Sequence, residues 1–301
     1  MAEWIDLIDP SAEELRAKLP REVQESALNL LLAPAEHGDE PRPTLQAHGD
    51  YIFGVFLVAV AVPEEDRVYY QEIDVVLTHD VLLTLSKTPP GETPYDPRPV
   101  REACHPDDEA GMMLYRLVDD ISEHYLDLVD QLDDEIDELE DGVETSPAEV
   151  TRARLSELRH DLLHIRRTLG PTRDAVHRII DNVLEIDGGE VFPHNVEIAF
   201  NSAYDKLLRA FDGIELSRDL IGSVRDYLQA KVANDQNEVT KKLTAIASIL
   251  LVPTFIVGVY GQNFRHHFPE LAWRFGYAWS WSLIIVSTIV QIVYFRRKKW
   301  I

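Results

Sequence analysis

Two amide side chains follow a glycine where a long apolar run ends: Gly261, Gln262 and Asn263. Amide oxygens are neutral acceptors, and a ring of them suits Mg²⁺, which gives up its water reluctantly and can be held through its hydration shell. Neutral ligands also let the ion leave again. We therefore take Asn263 as the first candidate site, and we expect Gly261 to free the backbone for the turn that ends a helix.

A stripe of polar and small residues precedes this motif. At about 100° per residue, its positions fall within roughly a third of a helix circumference. The stripe comprises Asn237, Thr240, Thr244, Ser248, Leu251, Thr254 and Gly258. Such residues line ion pathways, and they also mark ordinary close packing between membrane helices. One pair of spans encloses no pore, so a pathway requires several copies of the stripe around an axis.

Two uncharged apolar runs, 243–260 and 276–295, must position these residues. At about 1.5 Å per residue, each crosses or nearly crosses a hydrocarbon core of about 30 Å, so we predict two transmembrane helices. Lys241 and Lys242 precede the first run, and the cations of 296–299 follow the second. By the positive-inside rule, both termini then face the cytoplasm. We expect a multi-pass protein of the cell's inner membrane.

The residues around the first run carry a family resemblance. Residues 260–264, YGQNF, are similar to the signature Tyr-Gly-Met-Asn-Phe, and 268–271, FPEL, are similar to a Met-Pro-Glu-Leu loop. The chain thus resembles the CorA family of divalent metal ion channels, the magnesium and cobalt transporters. Gln262 and Phe268 replace methionines of that pattern, and Arg265 stands where many members carry an acid. The match covers the last third residue by residue and the rest by architecture.

The resemblance implies that Gly261, Gln262 and Asn263 form the selectivity filter of a homopentamer whose pore is lined by the stripe. It implies passive uptake of Mg²⁺, with Co²⁺ or Ni²⁺ as lesser substrates, driven by the concentration gradient and the membrane potential. Glu270 is then placed to gather cations at the outer mouth. We find no nucleotide-binding or nucleophile motif, so we expect neither an organic cofactor nor an enzyme.

The resemblance also implies regulation by intracellular Mg²⁺, which bridges carboxylates of neighbouring subunits and holds the pore shut. Asp226 falls where the family has such an acid, whereas Ser202 falls where it often has a second one. Three acids at seven-residue steps can substitute for the second one or can simply face solvent. They are Asp205, Asp212 and Asp219.

The charge of the chain is divided unevenly. From residue 245 onward, six Lys or Arg and one Glu give a charge of +5. Since the net charge of the chain is −24, the preceding part carries −29. Such a surface disfavours nucleic acid and anionic lipid as partners of that part, and it attracts counter-cations such as divalent ions. The lone Cys104 allows no intrachain disulfide, which suits a cytoplasmic location.

The hydrophobic pattern predicts an α+β membrane protein. Its predicted parts are an N-terminal cytoplasmic α/β domain at 1–104, an acidic antiparallel helical hairpin at 105–190, a stalk helix at 191–242 continuing into the first membrane helix at 243–260, an external loop at 261–275, the second membrane helix at 276–295 and a basic cytoplasmic tail at 296–301. We also predict one amphipathic helix from about Ser11 to Leu32, strands at Tyr51–Val62 and within Arg67–Ser86, and an N-cap at Ser146.

Two other functions stay open at this point. A proton-coupled Zn²⁺ transporter of the ZntB kind is favoured by Gln262 and by the loop residues Arg265, His266 and His267. The alternative of another class is a membrane-tethered sensor or scaffold that binds cations without conducting them. The polar stripe disfavours the sensor, because a protein that conducts no ions does not require a polar face inside the bilayer.

Overall fold

A computed structural model of the chain describes residues 2–36, 38, 40–62, 67–262 and 273–301. The chain divides into two units, Met1–Arg225 and Asp226–Ile301. The strands are β1 (Glu3–Ile8), β2 (Thr44–His48), β3 (Tyr51–Val62), β4 (Arg67–Leu77) and β5 (Val81–Lys87). The helices are α1 (Ala12–Lys18), α2 (Glu25–Leu32), α3 (Arg98–Glu102), α4 (Ala110–Gly142), α5 (Ala148–Ile180), α6 (His194–Tyr260) and α7 (Gly276–Arg297).

The five strands form one mixed sheet in the order β1-β5-β4-β3-β2. Strand β1 runs parallel to β5, and the other pairs are antiparallel. The near-continuous β-formers of β3 reflect a strand that is covered on both faces. A turn at His79-Asp80 separates β4 from β5, and there the Thr78 N–H donates to the Val81 carbonyl at 2.9 Å. The structure thus confirms a mixed α/β unit, and it adds β2, which sequence patterning missed.

Helices α1 and α2 cover one face of the sheet, where Leu15 and Leu31 join a buried cluster with Val76 and Leu83. The helix begins as predicted near Ser11, whose hydroxyl accepts from the Glu14 N–H at 3.2 Å and caps α1. The single helix predicted to reach Leu32 is wrong, because α1 ends at Lys18. Proline disfavours helical backbone at the residue before it, so Pro20 forces the chain out of the helix.

A buried charge cluster lies beneath the same helices. Lys87 Nζ lies 2.5 Å from Glu72 Oε1 and 2.6 Å from Asp74 Oδ2, and it donates to the Leu30 carbonyl at 2.7 Å. Burial and the neighbouring Glu72 carboxylate raise the pKa of Asp74 well above its usual range, although Lys87 opposes the shift. The lysine thus joins the end of α2 to the middle of the sheet.

The helical hairpin of α4 and α5 packs on the sheet, with α4 contacting β3 and β5 and α5 contacting β2 and β3. Its apolar positions at three- and four-residue steps are buried, as the heptad-like pattern predicts. An ion pair between Arg154 and Glu135 links the two helices. The predicted cap at Ser146 is wrong, since Pro147 is the N-cap of α5 and no side chain caps it.

Helix α6 is continuous over 67 residues, as predicted for the stalk and first span. Among the described residues, α6 and α7 are the two helices that are long and apolar enough to cross a membrane. Their large apolar side chains are exposed, with Phe255 at 69% and Val290 at 60%. Exposure of this kind distinguishes them from the core helices of a soluble protein and fits contact with lipid.

Candidate functional site

The stripe predicted on α6 lies on an exposed face of the second unit. Six of its positions are exposed, and Ser248 is half-buried. They are Asn237, Thr240, Thr244, Leu251, Thr254 and Gly258. A Cβ added at Gly258 would meet no atom within 4 Å, so that position also borders open space. The stripe is therefore a surface available to something outside this unit.

The threonine hydroxyls of the stripe donate to their own helix. Thr240 Oγ1 donates to the Gln236 carbonyl at 2.8 Å, and Thr254 Oγ1 donates to the Leu250 carbonyl at 2.7 Å. Thr244 repeats the pattern on the Thr240 carbonyl at 2.8 Å. Because each hydroxyl proton is used within the helix, only the oxygen lone pairs point away from it. The threonines of the stripe thus offer acceptors, which suit the outward-pointing hydrogens of a hydrated cation.

The neighbouring side of α6 borders a cleft of about 830 Å³ with α7, within the second unit. Four of its twelve described lining residues are aromatic: Tyr260, Trp273, Tyr277 and Trp281. Pro253 also lines the cleft and has no N–H, so the Ile249 carbonyl lacks its usual helical donor. The cleft was not foreseen from the sequence, although the proline and the interfacial aromatics are its visible signals.

The filter motif is described only in part. The Gly261 N–H donates to the Val257 carbonyl at 2.9 Å, and the Gln262 N–H donates to the Val259 carbonyl at 3.4 Å. The chain turns at Gly261 directly after α6 ends, and Gly261 is not among the glycines with positive φ, so this turn is not left-handed. A Cβ at Gly261 would lie 3.0 Å from the Val257 oxygen, a tight contact that favours glycine at this position. Asn263 and Glu270 lie outside the described residues.

The acids predicted to bind a regulatory ion are exposed on α6. Asp205, Asp212 and Asp219 belong to the first unit and Asp226 to the second. Their seven-residue spacing places the first three on one side of the helix. Among the described residues, no group of three or more His, Cys, Asp or Glu side chains is arranged to hold a metal ion. One copy of the chain therefore supplies these carboxylates without a complete ligand set.

The first-unit part of α6 is fastened to α4 by charged hydrogen bonds. Lys206 Nζ lies 2.8 Å from Asp119 Oδ1 and also pairs with Glu123. Burial lowers the pKa of Lys206, but the hydrogen bonds to the two carboxylates outweigh burial and raise it. About three turns farther along α6, the Ser217 hydroxyl donates to Asp133 Oδ1 at 2.6 Å. These bonds fix the position of α6 within its unit.

Helix α6 also approaches α4 very closely between these bonds. A Cβ added at Gly213 would lie 2.6 Å from Cγ1 of Val129, so a larger residue would not fit without movement. On the α5 side, Arg166 Nε lies 2.8 Å from Glu215 Oε1. Close packing and ion pairs together make the first-unit part of α6 a rigid continuation of the hairpin.

Comparisons with known proteins extend over nearly the whole chain. The profile of a family described as CorA-like Mg²⁺ transporter protein matches residues 2–297. The chain is 30% identical over 266 residues to the cobalt/magnesium transport protein CorA of Thermotoga maritima, covering 86% of this chain and 73% of the relative. It is 25% identical over 308 residues to the cobalt/magnesium transport protein CorA of Methanocaldococcus jannaschii, covering 99% and 91%.

Solved structures show the same fold. The complete structure of the CorA magnesium transporter from Methanocaldococcus jannaschii has a TM-score of 0.78 at 21% identity, covering 99% of this chain and 91% of that one. The structure of the full-length CmaX protein has a TM-score of 0.70, also at 21% identity, covering 99% and 89%.

A unit with a mixed sheet and two candidate membrane helices, the first of which is the long α6, give this chain an α+β architecture with two candidate membrane spans. The match to the family profile then places it more closely. The chain belongs to the CorA-like Mg²⁺ transporter family.

Proposed function

We propose that this protein is a passive channel for Mg²⁺, with Co²⁺ or Ni²⁺ as lesser substrates, assembled as a homopentamer. The observation that carries the proposal is the exposed stripe of acceptor oxygens on α6. The acceptor oxygens of such a face find no donor in lipid, whereas they can accept hydrogen bonds around a watery axis. Relatives named for cobalt/magnesium transport support the choice of ion.

Selection is proposed to act on the hydrated ion. Mg²⁺ keeps its water, and the amide oxygens of an Asn263 ring accept hydrogen bonds from that water without binding too tightly for release. Below the ring, the threonine oxygens continue the same chemistry along the stripe. The membrane potential supplies about 4.6 kcal/mol per 100 mV for a divalent ion, so no other energy source is required.

Regulation is proposed to come from Mg²⁺ bound between subunits on the cytoplasmic side. Asp226 and the three acids Asp205, Asp212 and Asp219 are exposed, so a second copy can supply the remaining ligands. The ion then favours the assembly that it bridges, and it dissociates when cytoplasmic Mg²⁺ becomes scarce. This scheme requires both termini in the cytoplasm and both spans in the cell membrane, as the flanking cations predict.

The experiment that tests the proposal is ion uptake by liposomes that contain the purified full-length protein. Internal dyes for Mg²⁺ and Zn²⁺ are read with and without a pH gradient. We expect Mg²⁺ uptake that needs no proton gradient and is lost in Asn263→Ala. The matched control is Asn201→Ala, an exposed asparagine of α6 far along the chain from the filter, which is expected to leave uptake unchanged.

Two results would replace the proposal. Zn²⁺ uptake that follows the pH gradient would make the protein a proton-coupled transporter of the ZntB kind. Absence of flux for either ion, in protein that is folded and inserted, would favour the cation sensor.

A further inference from the structure

Four consecutive cations at the end of α7, Arg296, Arg297, Lys298 and Lys299, form a surface that we call the basic collar. All four side chains are exposed, and they follow directly on the last apolar residues of the helix. The described acids of the same unit are Asp226, Asp235 and Glu238, and none of them forms an ion pair with the collar. The second unit therefore leaves this positive charge without a counter-ion among its described residues.

The backbone after α7 folds back on the helix end. The Lys299 N–H donates to the Arg296 carbonyl at 3.1 Å, and the Trp300 N–H donates to the Phe295 carbonyl at 3.0 Å. Lys299 has a φ of 56°, the left-handed conformation that such a turn requires. This is a Schellman motif, and its usual apolar contact is present as well, since the rings of Trp300 and Phe295 stack with centroids 5.6 Å apart.

The Schellman motif concentrates the charge at one level. An extended chain would carry each further residue about 3.3 Å away from the helix end. Reversal at Lys299 instead keeps the four residues at the end of the helix, because the Lys299 and Trp300 N–H groups bond back to Arg296 and Phe295. Tyr294 and Trp300 lie at the same end, and such aromatic side chains favour the boundary between hydrocarbon and headgroups.

We propose that the basic collar binds the anionic headgroups of phospholipids in the cytoplasmic leaflet. Arginine guanidinium groups match phosphate oxygens with paired hydrogen bonds, and lysines add point charges. The position of the collar favours a lipid phosphate over a soluble one, because the collar directly follows the apolar segment of α7 that is proposed to span the bilayer. The inference rests on the membrane topology of the proposed function, but it does not depend on which ion is conducted.

The test uses the full-length protein in phosphatidylcholine vesicles. They contain about 20 mol% phosphatidylglycerol, an anionic lipid that makes the vesicle surface negative. Spin-labelled phosphatidylglycerol and phosphatidylcholine with identical acyl chains report the lipid held at the protein surface. We expect phosphatidylglycerol to be enriched severalfold, on the order of the fivefold that one basic residue near an anionic surface supplies. Added salt should reduce the enrichment, because the headgroups compete with mobile ions.

The key variant removes the charge of the collar: Arg296→Gln, Arg297→Gln, Lys298→Gln and Lys299→Gln together. It should lower the enrichment to within about twofold of the bulk lipid. A control with the same loss of charge replaces four exposed cations of the first unit, Arg16, Lys18, Arg152 and Arg159, by Gln and should retain the enrichment. The conservative pair Arg296→Lys and Arg297→Lys should also retain most of it.

Three results would overturn the inference. They are equal binding of both lipids by the unaltered protein, full enrichment in the collar variant, and loss of assembly by that variant even in pure phosphatidylcholine. The last result would assign the collar to a contact between copies. Lipid enrichment in a protein that conducts no Mg²⁺ would refute the proposed function and leave this inference standing.

Discussion

The Thr244 hydroxyl donates to the carbonyl oxygen of Thr240 at 2.8 Å, so two neighbouring positions of the stripe are joined by a bond within the helix. The hydroxyl proton is thereby withdrawn from the exposed face, and the oxygen remains there as an acceptor. The same arrangement at Thr240 and Thr254 gives α6 a series of acceptors along its length. A hydrated cation presents hydrogens on all sides and is the natural partner of such a face.

Replacing Thr244 by Val keeps the shape of the side chain and removes its oxygen. We expect Mg²⁺ flux to fall about fivefold or more, since a hydrogen bond to the hydration shell is worth about 1 kcal/mol in each copy. Thr244→Ser should retain flux. Thr288→Val is the matched control, because Thr288 makes the same kind of bond to the Ile284 carbonyl on α7, outside the stripe. Unchanged flux in Thr244→Val would remove the threonine oxygens from the pathway.

Lys206→Met tests whether charged hydrogen bonds fix α6 to α4. Its loss leaves Asp119 without a partner at 28% exposure, so we expect a cost of about 1–2 kcal/mol and an apparent Tm lower by about 2–6 °C. Lys18→Met, on the exposed face of α1, should change Tm little. Scanning calorimetry or nanoscale fluorimetry of the detergent-solubilised protein measures both.

The stabilisation that Lys206 provides should depend on pH. The pKa of Lys206 is raised in the folded protein, so its contribution is complete below the ordinary lysine pKa and disappears as pH rises through the raised value. The Tm difference between wild type and Lys206→Met should thus be constant from about pH 6 to pH 9 and shrink only above about pH 10.5. A difference that stays unchanged well above about pH 10.5 would mean that the lysine acts through packing.

Divalent ions should stabilise the assembly through the exposed acids of α6. We expect millimolar Mg²⁺ to raise Tm relative to chelator in the wild type, and to raise it less in Asp226→Asn or in the triple variant of Asp205, Asp212 and Asp219 to Asn. Binding to the folded state alone gives such a shift by mass action. The control variant replaces three exposed acids of α4 by Asn: Asp127, Asp130 and Asp137. An equal Mg²⁺ effect in all variants would place the regulatory ion elsewhere.

Long-range hydrophobic patterns allowed most of the fold to be predicted. The bounds of β3 and the extent of α6 follow from apolar runs and from the spacing of prolines, which act locally. The split between α1 and α2 was missed because Leu15, Leu19, Val23, Ala27 and Leu31 keep a four-residue spacing straight through the break. The apolar spacing of a helix continues there, although the helical backbone is interrupted. Pro20 was therefore the weaker signal.

Other features depend on contacts that a local pattern does not contain. The burial of Lys87 depends on two carboxylates of β4 and a carbonyl of α2, which come together only in the sheet. The glycine at 213 is explained by Val129, which lies on another helix. For the candidate site, helical geometry gave the face of the stripe, whereas the direction of each threonine proton followed only from the hydrogen bonds of the folded helix.

The central claim is that the stripe of α6 faces the ion. Single cysteines, introduced into a Cys104→Ala background and treated with a water-soluble thiol reagent during Mg²⁺ flux, test it most directly. We expect block at Leu251→Cys, Thr254→Cys and Gly258→Cys, and no block at Ile249→Cys or Ile256→Cys, which lie on the opposite side of the helix. The account would be contradicted if the reagent blocked Mg²⁺ flux in the two isoleucine variants and left it unchanged in the three stripe variants.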